Sequence, residues 1–428
     1  MKPSRFLLFI PHNNDEYILL HTLNGAILVV DNELKEYIQK FPNKIPSETL
    51  EVLRKQGIII DDEVDELSVY KYYLNKLKYQ SHTARFLIVT TYDCNFACVY
   101  CYEKEARAKI YMNLDTANRV ANHIKDFSKA QGVREVRIGL YGGEPLLNIK
   151  PAIVILEEVL KWAEEENIVL KTDITTNGSL LTRDIAKKLA EYNITSTQVT
   201  IDGPREIHNR LRPFKNGEGS FDVIITNIIN CVDYMNIDIA VNLCKDNYRY
   251  VPMLLDYLAD MGLKDKITLW WNTVVGPDPC QKRLQLSDEE LAKAYYNLSL
   301  ETLKRGFKLG IRKIAGIYLC DAMRETSQII DPEGFIYKCW GLIGNKKFIV
   351  GKVGERTLRP LYFKWMTRDA LENPTCRECP KLPICNGGCY YENFIKKGSI
   401  YAPYCGVAHA AKLLEVATKL YIFHKYGE

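Results

Sequence analysis

Three cysteines in the stretch TYDCNFACVYCYE have a spacing that suits metal binding. They are Cys94, Cys98 and Cys101. A structural zinc site and a saturated iron–sulfur cube each use four protein ligands, so three thiolates leave one metal position open. An open iron is a place where a small molecule can bind and react. The spacing therefore predicts a reactive iron–sulfur centre with an external fourth ligand, and a zinc site or an incidental cysteine loop is the alternative.

Three short motifs follow the cysteine stretch, each at the end of a predicted strand. They are Gly142-Gly143-Glu144-Pro145, Thr175-Thr176-Asn177-Gly178 and Asp202-Gly203-Pro204. Glycine lets a backbone approach a ligand closely, and a carboxylate such as that of Glu144 can accept hydrogen bonds from a bound ammonium group. Arg210 and Arg212 could pair with a ligand carboxylate or could be ordinary surface arginines. Each motif alone is a common turn, and only their order after the three cysteines is informative.

A second group of cysteines lies near the end of the chain, in and around the segment CRECPKLPICNGGC. Its members are Cys320, Cys339, Cys376, Cys379, Cys385, Cys389 and Cys405. Turn residues crowd these cysteines, which favours a small domain folded around metal, although Cys-x2-Cys-x5-Cys-x3-Cys alone could also bind zinc. The total of thirteen cysteines is odd, so metal ligation is favoured over a disulfide framework. Cys231 and Cys244 fall in helix and strand patterns and are predicted to be buried hydrophobic residues.

Composition excludes several classes of protein. A chain of 428 residues is too long for one ordinary core and predicts two or three domains. The net charge of +4 comes without a basic block, which argues against nucleic acid as a partner. No apolar run approaches the roughly 18 residues that a membrane helix needs, and no signal peptide is visible. We therefore expect a cytoplasmic protein with no membrane partner.

The elements that must position the first cysteines form a repeated pattern between residues 79 and 308. Six units of an apolar strand followed by an amphipathic helix succeed one another there. Near-continuous apolar strands separated by helices are typical of a parallel sheet. Six units are too few for a closed eight-stranded barrel, so the predicted fold class is α/β with a partial (β/α)6 barrel. Loops at the carboxyl ends of its strands should carry the chemistry.

Two smaller regions flank this predicted barrel. Residues 1–78 show short apolar strands, turn residues and two short helical patterns, which resemble a winged-helix module; a simple extension packed on the main domain is the alternative. Residues 309–428 contain the second cysteine group and end in an amphipathic helix that should serve packing. We expect an N-terminal recognition domain and a C-terminal cysteine-rich iron–sulfur domain.

The three-cysteine motif, the aromatic residue after it and the ordered turn motifs together resemble the radical S-adenosylmethionine (SAM) enzymes. The resemblance implies a [4Fe–4S] cluster on Cys94, Cys98 and Cys101 whose open iron is chelated by the amino and carboxylate groups of SAM. An electron from that cluster would cleave SAM to a 5′-deoxyadenosyl radical. The resemblance assigns to SAM binding Tyr102, Gly142, Gly143, Glu144, Pro145, Thr176, Asn177, Asp202, Arg210 and Arg212.

The second cysteine group resembles the seven-cysteine signature of the SPASM domain, which a subgroup of these enzymes carries. That resemblance implies two auxiliary [4Fe–4S] clusters and therefore three clusters in all. One auxiliary cluster would use Cys376, Cys379, Cys385 and Cys405, and the other would use Cys320, Cys339 and Cys389. The second cluster is one ligand short. Either Cys280 completes it, or it keeps an open iron that could bind a substrate thiol.

Enzymes of this subgroup mostly modify peptides. Residues 1–78 resemble the element that binds the leader of a ribosomally made precursor peptide, typically by adding it as an edge strand. The implied activity is a thioether or carbon–carbon crosslink in that peptide, with reduced flavodoxin or ferredoxin as electron donor. One alternative resembles an anaerobic sulfatase maturase, which forms formylglycine. A non-catalytic iron–sulfur electron carrier is the other, and the turn motifs argue against it because a carrier needs no cofactor pocket.

Overall fold

The chain is divided into two compact units. The computed structural model describes residues 1–12, 14–41, 45–103, 108–311, 314–355, 358–405 and 414–422. The first unit combines Met1–Gln80, Ile311–Cys320 and Arg368–Glu428, and the second combines Ser81–Gly310 and Asp321–Thr367. Each unit is therefore built from segments that are far apart in the sequence.

The N-terminal part of the first unit is a small antiparallel sheet with helices. Its elements are β1 (Lys2–Pro3), β2 (Leu7–Pro11), β3 (Glu16–His21), β4 (Ile27–Asp31), α1 (Asn32–Gln39), α2 (Ser47–Lys55), β5 (Ile59–Ile60) and α3 (Glu66–Tyr79). Strands β2, β3 and β4 pair in that order, and β1 pairs with β5. Leu19 and Val30 of the sheet share a buried cluster with Ile38 of α1 and Leu53 of α2. Burial of these apolar side chains holds the two helices on the sheet.

The second unit alternates strands and helices along most of its length. Its elements are β6 (Thr83–Val89), α4 (Leu114–Ala130), β7 (Glu135–Tyr141), α5 (Ile149–Glu165), β8 (Val169–Thr176), α6 (Arg183–Ala190), β9 (Ile194–Thr200), α7 (Arg205–Leu211), α8 (Phe221–Cys231), β10 (Asn236–Leu243), α9 (Val251–Asp260), β11 (Ile267–Thr273), α10 (Pro279–Leu284), α11 (Asp288–Lys304), β12 (Lys308–Leu309), β13 (Ser327–Ile330), β14 (Phe335–Tyr337), β15 (Gly351–Lys352) and α12 (Pro360–Thr367).

These strands form one large, mostly parallel sheet. Its order is β12-β11-β10-β9-β8-β7-β6-β13-β14-β15, and every pair from β12 to β13 is parallel. The predicted α/β class and the predicted succession of strand–helix units are thus confirmed. Because the strands from β6 to β11 are parallel, their carboxyl ends meet at one edge of the sheet. The loops that follow β6, β7, β8 and β9 carry the motifs singled out above.

Residues 321–367 belong to the second compact unit, although the sequence pattern groups them with the C-terminal cysteine-rich region. Strand β13 lies beyond residue 308, yet it pairs in parallel with β6 from Ser327↔Arg85 to Ile330↔Ile88. Strands β14 and β15 then extend the same sheet in antiparallel fashion. Backbone hydrogen bonding to β6 therefore assigns residues 321–367 to the second unit.

The C-terminal part of the first unit carries most of the second cysteine group. Its helices are α13 (Pro374–Arg377), α14 (Leu382–Cys385), α15 (Tyr390–Lys397) and α16, residues 414–422. Polar bonds tie this part to the N-terminal sheet and α3. The Arg5 guanidinium lies 3.0 Å from the Glu378 carboxylate, and the Lys71 ammonium lies 2.8 Å from that of Asp369.

Apolar packing joins the same two parts. Leu414 and Ile422 of α16 share a buried cluster with Ile10, Ile18 and Leu20 of the sheet. The expected packing role of the final helix is thus borne out for its described residues. The winged-helix and cluster-domain interpretations stay predictions.

Candidate active site at the carboxyl edge of the sheet

The first three cysteines lie on the loop after β6, residues 90–103, called the cysteine loop here. Cys94 and Cys98 are buried, and Cys101 is half-buried. The end of α7 and the residues after it run antiparallel to this loop: Ala97 N donates to Pro213 O at 2.8 Å, and Val99 N donates to Leu211 O at 3.0 Å. These bonds fix the backbone of the loop between its cysteines.

The paired glycines after β7 let a second loop lie against the cysteine loop. Gly143 N donates to Thr91 O at 3.1 Å, and Glu144 N donates to Asp93 O at 2.9 Å. A Cβ atom on Gly143 would lie 2.2 Å from Asp93 O, and Gly142 has a φ of 138°. Both positions therefore require glycine. The two glycines thus allow the backbone of Thr91 and Asp93 to lie against the loop after β7.

Glu144 joins the loops after β7 and β8. Its carboxylate is fully buried and accepts hydrogen bonds from Leu146 N at 3.0 Å, Thr176 Oγ1 at 2.7 Å and Asn177 N at 2.7 Å. Burial raises the pKa of Glu144, and these three donors oppose the rise. We expected this carboxylate to accept bonds from a ligand ammonium group. Its oxygens accept bonds from the protein, so the side chain positions the Thr176–Asn177 loop, and its contact with a ligand stays a prediction.

Asn177, whose backbone N–H bonds to Glu144, also contacts Cys94 through its side chain. Its Nδ2 donates to Asn95 Oδ1 at 2.8 Å and lies 3.8 Å from Cys94 Sγ. The backbone N of Phe96 lies 3.4 Å from the same sulfur. Hydrogen bonds to sulfur stabilise cluster-ligating thiolates and tune their cluster. The surroundings of Cys94 fit an iron–sulfur ligand.

A buried polar group involving Asp202 lies beside the cysteine loop. The Tyr100 hydroxyl donates to Asp202 Oδ2, Asn242 N donates to Asp202 Oδ1 at 2.8 Å, and Arg212 Nη1 donates to the Tyr100 oxygen at 2.8 Å. Arg212 Nη1 and Asp202 Oδ2 are 4.0 Å apart. Burial raises the pKa of Asp202, while Arg212 and Tyr100 act to lower it.

Arg212 keeps bonding capacity for a ligand. Its Nε is buried and has no hydrogen-bond partner among the described residues. Burial alone would lower the pKa of Arg212, but Cys98, Tyr100 and Asp202 hold it well above its usual value. A charged guanidinium with a spare donor next to Cys98, a predicted cluster ligand, fits the carboxylate of SAM. Arg210, the other predicted arginine, is exposed and is not brought into this group.

Tyr102 lies at the end of the cysteine loop. Its hydroxyl shares a hydrogen bond with that of Tyr141, the last residue of β7. Its ring packs edge-on against Trp340, with 5.4 Å between the ring centroids. Contacts with Tyr141 and Trp340 therefore fix the Tyr102 side chain, and its contact with a cofactor stays a prediction.

Four cysteines of the second group act on one another in the first unit. Burial, followed by electrostatic repulsion from Cys385, Cys405 and Cys379, raises the pKa of the Cys376 thiol to about 11. Such mutual effects require short distances. The predicted ligand set Cys376, Cys379, Cys385 and Cys405, called the four-cysteine set here, therefore lies in one neighbourhood of the first unit, and its role as a ligand set stays a prediction.

For the other predicted ligand set, an electrostatic effect relates only Cys320 to the neighbourhood of Cys389. Cys320 acts electrostatically on Tyr390, the residue after Cys389, within the first unit. Cys339 belongs to the second unit. This set, which we call the Cys320 set, stays a prediction for Cys320, Cys339 and Cys389.

Cys280 occupies the start of α10 in the second unit. Its half-buried side chain packs against an apolar cluster that contains Tyr100 and Leu284. Gln281 Nε2 donates to Tyr100 O at 3.2 Å, which ties α10 to the cysteine loop. Its role as a cluster ligand stays a prediction. Cys231 and Cys244 are buried, as expected.

No three His, Cys, Asp or Glu side chains among the described residues converge where they could hold a metal ion. A [4Fe–4S] cube takes one thiolate at each iron corner, so its ligands are spread around it. Three thiolates, with two hydrogen bonds to the Cys94 sulfur, are a donor set that fits such a cube with one open iron.

Sequence reasoning missed three polar residues of this site: Tyr100, Asn242 and Asn247. Asn247 Nδ2 donates to Asp202 O at 2.9 Å and to Asn242 O at 2.9 Å. Tyr100 stands between two cysteines of the motif and could have been noticed there. The two asparagines lie at and beyond the end of β10, where the sequence shows no recognisable motif.

Comparison with known proteins finds a matching family domain within the second unit and similar proteins over most of the chain. Residues 88–258 match the model of the radical SAM superfamily. Radical SAM cyclopropyl synthase TigE of Paramaledivibacter caminithermalis is 22% identical, over 96% of this chain and 94% of its own. Mycofactocin maturase MftC of Mycolicibacterium smegmatis is 26% identical over 71% and 77%. A cysteine-type anaerobic sulfatase-maturating enzyme of Clostridium novyi is 24% identical over 69% and 85%.

A solved structure shares the fold over nearly the whole chain. Streptococcus suis SuiB bound to its precursor peptide SuiA matches with a TM-score of 0.57 and 19% identity, covering 95% of this chain and 99% of SuiB. No helix among the described residues is long and apolar enough to cross a membrane. Residues 88–258 thus match a radical SAM domain, and the chain is similar to peptide maturases and to a sulfatase-maturating enzyme.

Proposed function

We propose that this protein is a peptide maturase that forms an intramolecular thioether or carbon–carbon crosslink in a ribosomally made precursor. SAM and a [4Fe–4S] cluster on Cys94, Cys98 and Cys101 would together supply the radical that takes a hydrogen atom from the peptide. Two auxiliary [4Fe–4S] clusters on the four-cysteine set and the Cys320 set would bring the total to three. A reduced flavodoxin or ferredoxin would donate the starting electron.

The protein's part in this reaction is to hold and shield the reactants. Arg212 would bind the SAM carboxylate through the Nε that has no partner among the described residues. Glu144 would keep the Thr176–Asn177 loop in place beside Cys94. The glycine pair keeps the neighbouring loop within bonding distance of the cysteine loop.

The electrons of the proposed reaction balance without an added oxidant. Abstraction removes one hydrogen atom from the peptide. Formation of the new bond then releases a proton and one electron, and an auxiliary cluster would accept that electron. The peptide is oxidised by two electrons and becomes two hydrogens lighter.

The open β4 edge of the N-terminal sheet is the observation that favours a peptide with a leader. Within the described part of the chain, β4 pairs on one side only, with β3. His21 N donates to Ala26 O at 2.8 Å, and Asn32 N donates to Asp15 O at 3.2 Å. Hydrogen-bonded pairs alternate along an antiparallel ladder, so the N–H of Val29, opposite Ile18, points away from β3. The free edge can accept an added peptide strand.

The decisive experiment is anaerobic coexpression with the peptide of the nearest short reading frame beside the gene, followed by mass measurement. Loss of two hydrogens, with one cysteine no longer alkylated, would establish a thioether. The same loss with every cysteine reactive would establish a carbon–carbon link. An unmodified peptide, despite production of 5′-deoxyadenosine, would count against this substrate.

Formylglycine formation is the second candidate, since the Clostridium novyi relative is a sulfatase-maturating enzyme. Incubation with a peptide containing the cysteine of a sulfatase motif would then yield an aldehyde that reacts with a hydrazine probe.

An iron–sulfur carrier without catalysis would produce no 5′-deoxyadenosine at all. Iron content near four per chain in folded protein would contradict the auxiliary clusters, since three clusters require about twelve.

A further inference from the structure

The loop between Cys385 and Cys389 has an unusual backbone. Asn386, Gly387 and Gly388 have φ values of 49°, 78° and 84°, three left-handed residues in succession. This loop connects a cysteine of the four-cysteine set to a cysteine of the Cys320 set. Its shape therefore determines how the two proposed auxiliary clusters are placed relative to each other.

Arg368 holds this loop from one side. Its Nη1 donates to Asn386 O at 3.3 Å, and its Nη2 donates to Gly387 O. Its guanidinium carbon lies 4.4 Å from the centroid of the Tyr390 ring, directly after Cys389. A Cβ on Gly387 would lie 2.7 Å from Arg368 Nη2, so glycine there admits the guanidinium. Arg368 is thus in contact with residues that adjoin a ligand of each set.

The charge of Arg368 has no protein counter-ion among the described residues. The side chain is buried, with 8% of its surface exposed, and none of the ion pairs found there includes it. Its neighbour Asp369 pairs with Lys71 instead. A buried and unpaired cation is costly unless an anion lies nearby. A thiolate-ligated [4Fe–4S] cluster is negatively charged, and its potential responds to nearby charge.

We propose that Arg368 is a positioning residue shared by both auxiliary clusters, whose guanidinium raises the reduction potential of each. This inference rests on the proposed function, because it requires the auxiliary clusters. A fixed positive charge in a low-dielectric site favours the reduced, more negative state of a cluster. Both clusters would then accept the electron released by the peptide more readily.

The test is a redox titration monitored by electron paramagnetic resonance. It uses full-length protein in which Cys94, Cys98 and Cys101 are replaced by alanine, so that only the auxiliary clusters remain. In that background, Arg368→Gln keeps a hydrogen-bond donor and removes the charge. We expect the reduced-to-oxidised ratio of both clusters at a fixed potential to fall about tenfold, which corresponds to about 59 mV for a one-electron couple.

Two matched variants isolate the buried charge. Arg368→Lys retains it and should keep both potentials near those of the parent. Arg377→Gln removes an exposed charge next to Cys376 and should change neither potential, because solvent screens it. Unchanged potentials in Arg368→Gln at full iron content, or a shift in one cluster only, would overturn the shared role.

Loss of iron in Arg368→Gln would also decide the question. If Arg368→Lys then retains iron and the parent potentials, the charge itself is needed and the proposal holds. If both variants lose iron equally, Arg368 serves only to hold the loop and the proposal fails. A parent protein with intact Cys94, Cys98 and Cys101 that binds only about four irons would instead refute the auxiliary clusters, and thus the proposed function.

Discussion

Thr176 Oγ1 donates a hydrogen bond of 2.7 Å to Glu144 Oε1, which joins the loops after two neighbouring parallel strands. The other carboxylate oxygen accepts from Asn177 N, and Asn177 in turn reaches Cys94. A buried carboxylate thus connects the glycine motif to the first cysteine. The arrangement indicates that Glu144 holds the two loops together beside Cys94.

Glu144→Gln should weaken this support. A glutamine side chain presents an amide N–H2 group to a site where three protein donors converge, so at least one donor loses its acceptor. We expect the free energy of unfolding to fall by about 1–3 kcal/mol. Chemical denaturation of the anaerobic protein measures it. Glu165→Gln, on the exposed face of α5, serves as the control and should leave the free energy of unfolding unchanged. Equal stability of the two variants would contradict the role of Glu144.

Arg212→Gln should reduce the affinity for SAM. A hydrogen bond to a charged group contributes roughly 1.5–3 kcal/mol, so the dissociation constant should rise about 10-fold to 100-fold. Equilibrium binding of SAM to the cluster-loaded protein measures the change. The control is Arg210→Gln, which removes the same charge from an exposed position two residues away and should leave the affinity unchanged. A similar loss in both variants would show that Arg212 has no special contact.

Val29→Pro should impair binding of the leader peptide. Proline removes the N–H that points outward from β4 and leaves the β3–β4 bonds intact, since proline is tolerated at an edge strand. The Val29 side chain is 52% exposed, so little packing is lost. Fluorescence anisotropy of a labelled leader should show weaker binding for Val29→Pro and normal binding for Val29→Thr. Unaltered binding in the proline variant would exclude the β4 edge as the docking strand.

Cys376→Ala should remove one auxiliary cluster. Loss of one of four thiolates exposes an iron and destabilises the cube, so we expect about four fewer irons per chain. Iron analysis after anaerobic reconstitution measures the difference. Cys231→Ala removes a buried cysteine outside the predicted ligand sets and should retain all iron. Full iron content in the Cys376 variant would argue that this thiol is not a ligand.

His21 should make the protein less stable in mild acid. Burial lowers the pKa of His21 to about 4, below its usual value of 6.5. As the pH falls through 6.5, the unfolded chain therefore takes up a proton that the folded chain does not, and the loss continues until the folded pKa is reached. Between about pH 7.5 and pH 5 the free energy of unfolding should fall by about 2 kcal/mol from this group.

Comparison with a variant separates His21 from other groups. His123 and His208 also have lowered pKa values because they are buried, so the whole protein loses more stability in acid than His21 alone explains. His21→Gln has no group that titrates there, and its stability should depend less steeply on pH than that of the wild type. Identical pH profiles would show that His21 does not control this dependence.

Local patterns in the sequence determined much of this protein. The spacing of Cys94, Cys98 and Cys101 indicated an open iron, because ligand number follows from residue type and spacing. The alternation of apolar strands and amphipathic helices predicted the parallel sheet, because periodicity reports burial directly. Parallel strands also explain why the motifs after β6, β7, β8 and β9 meet at one edge of the sheet.

Only the tertiary structure decided how these motifs are used. It distinguished buried Arg212 from exposed Arg210, which are two residues apart in the same sequence context. It assigned Glu144 to the neighbouring loop and brought Arg368 to the loop between Cys385 and Cys389. Such contacts join positions far apart in the chain. Sequence patterns report the burial of a position and the local backbone, but not which distant side chain fills the space beside it.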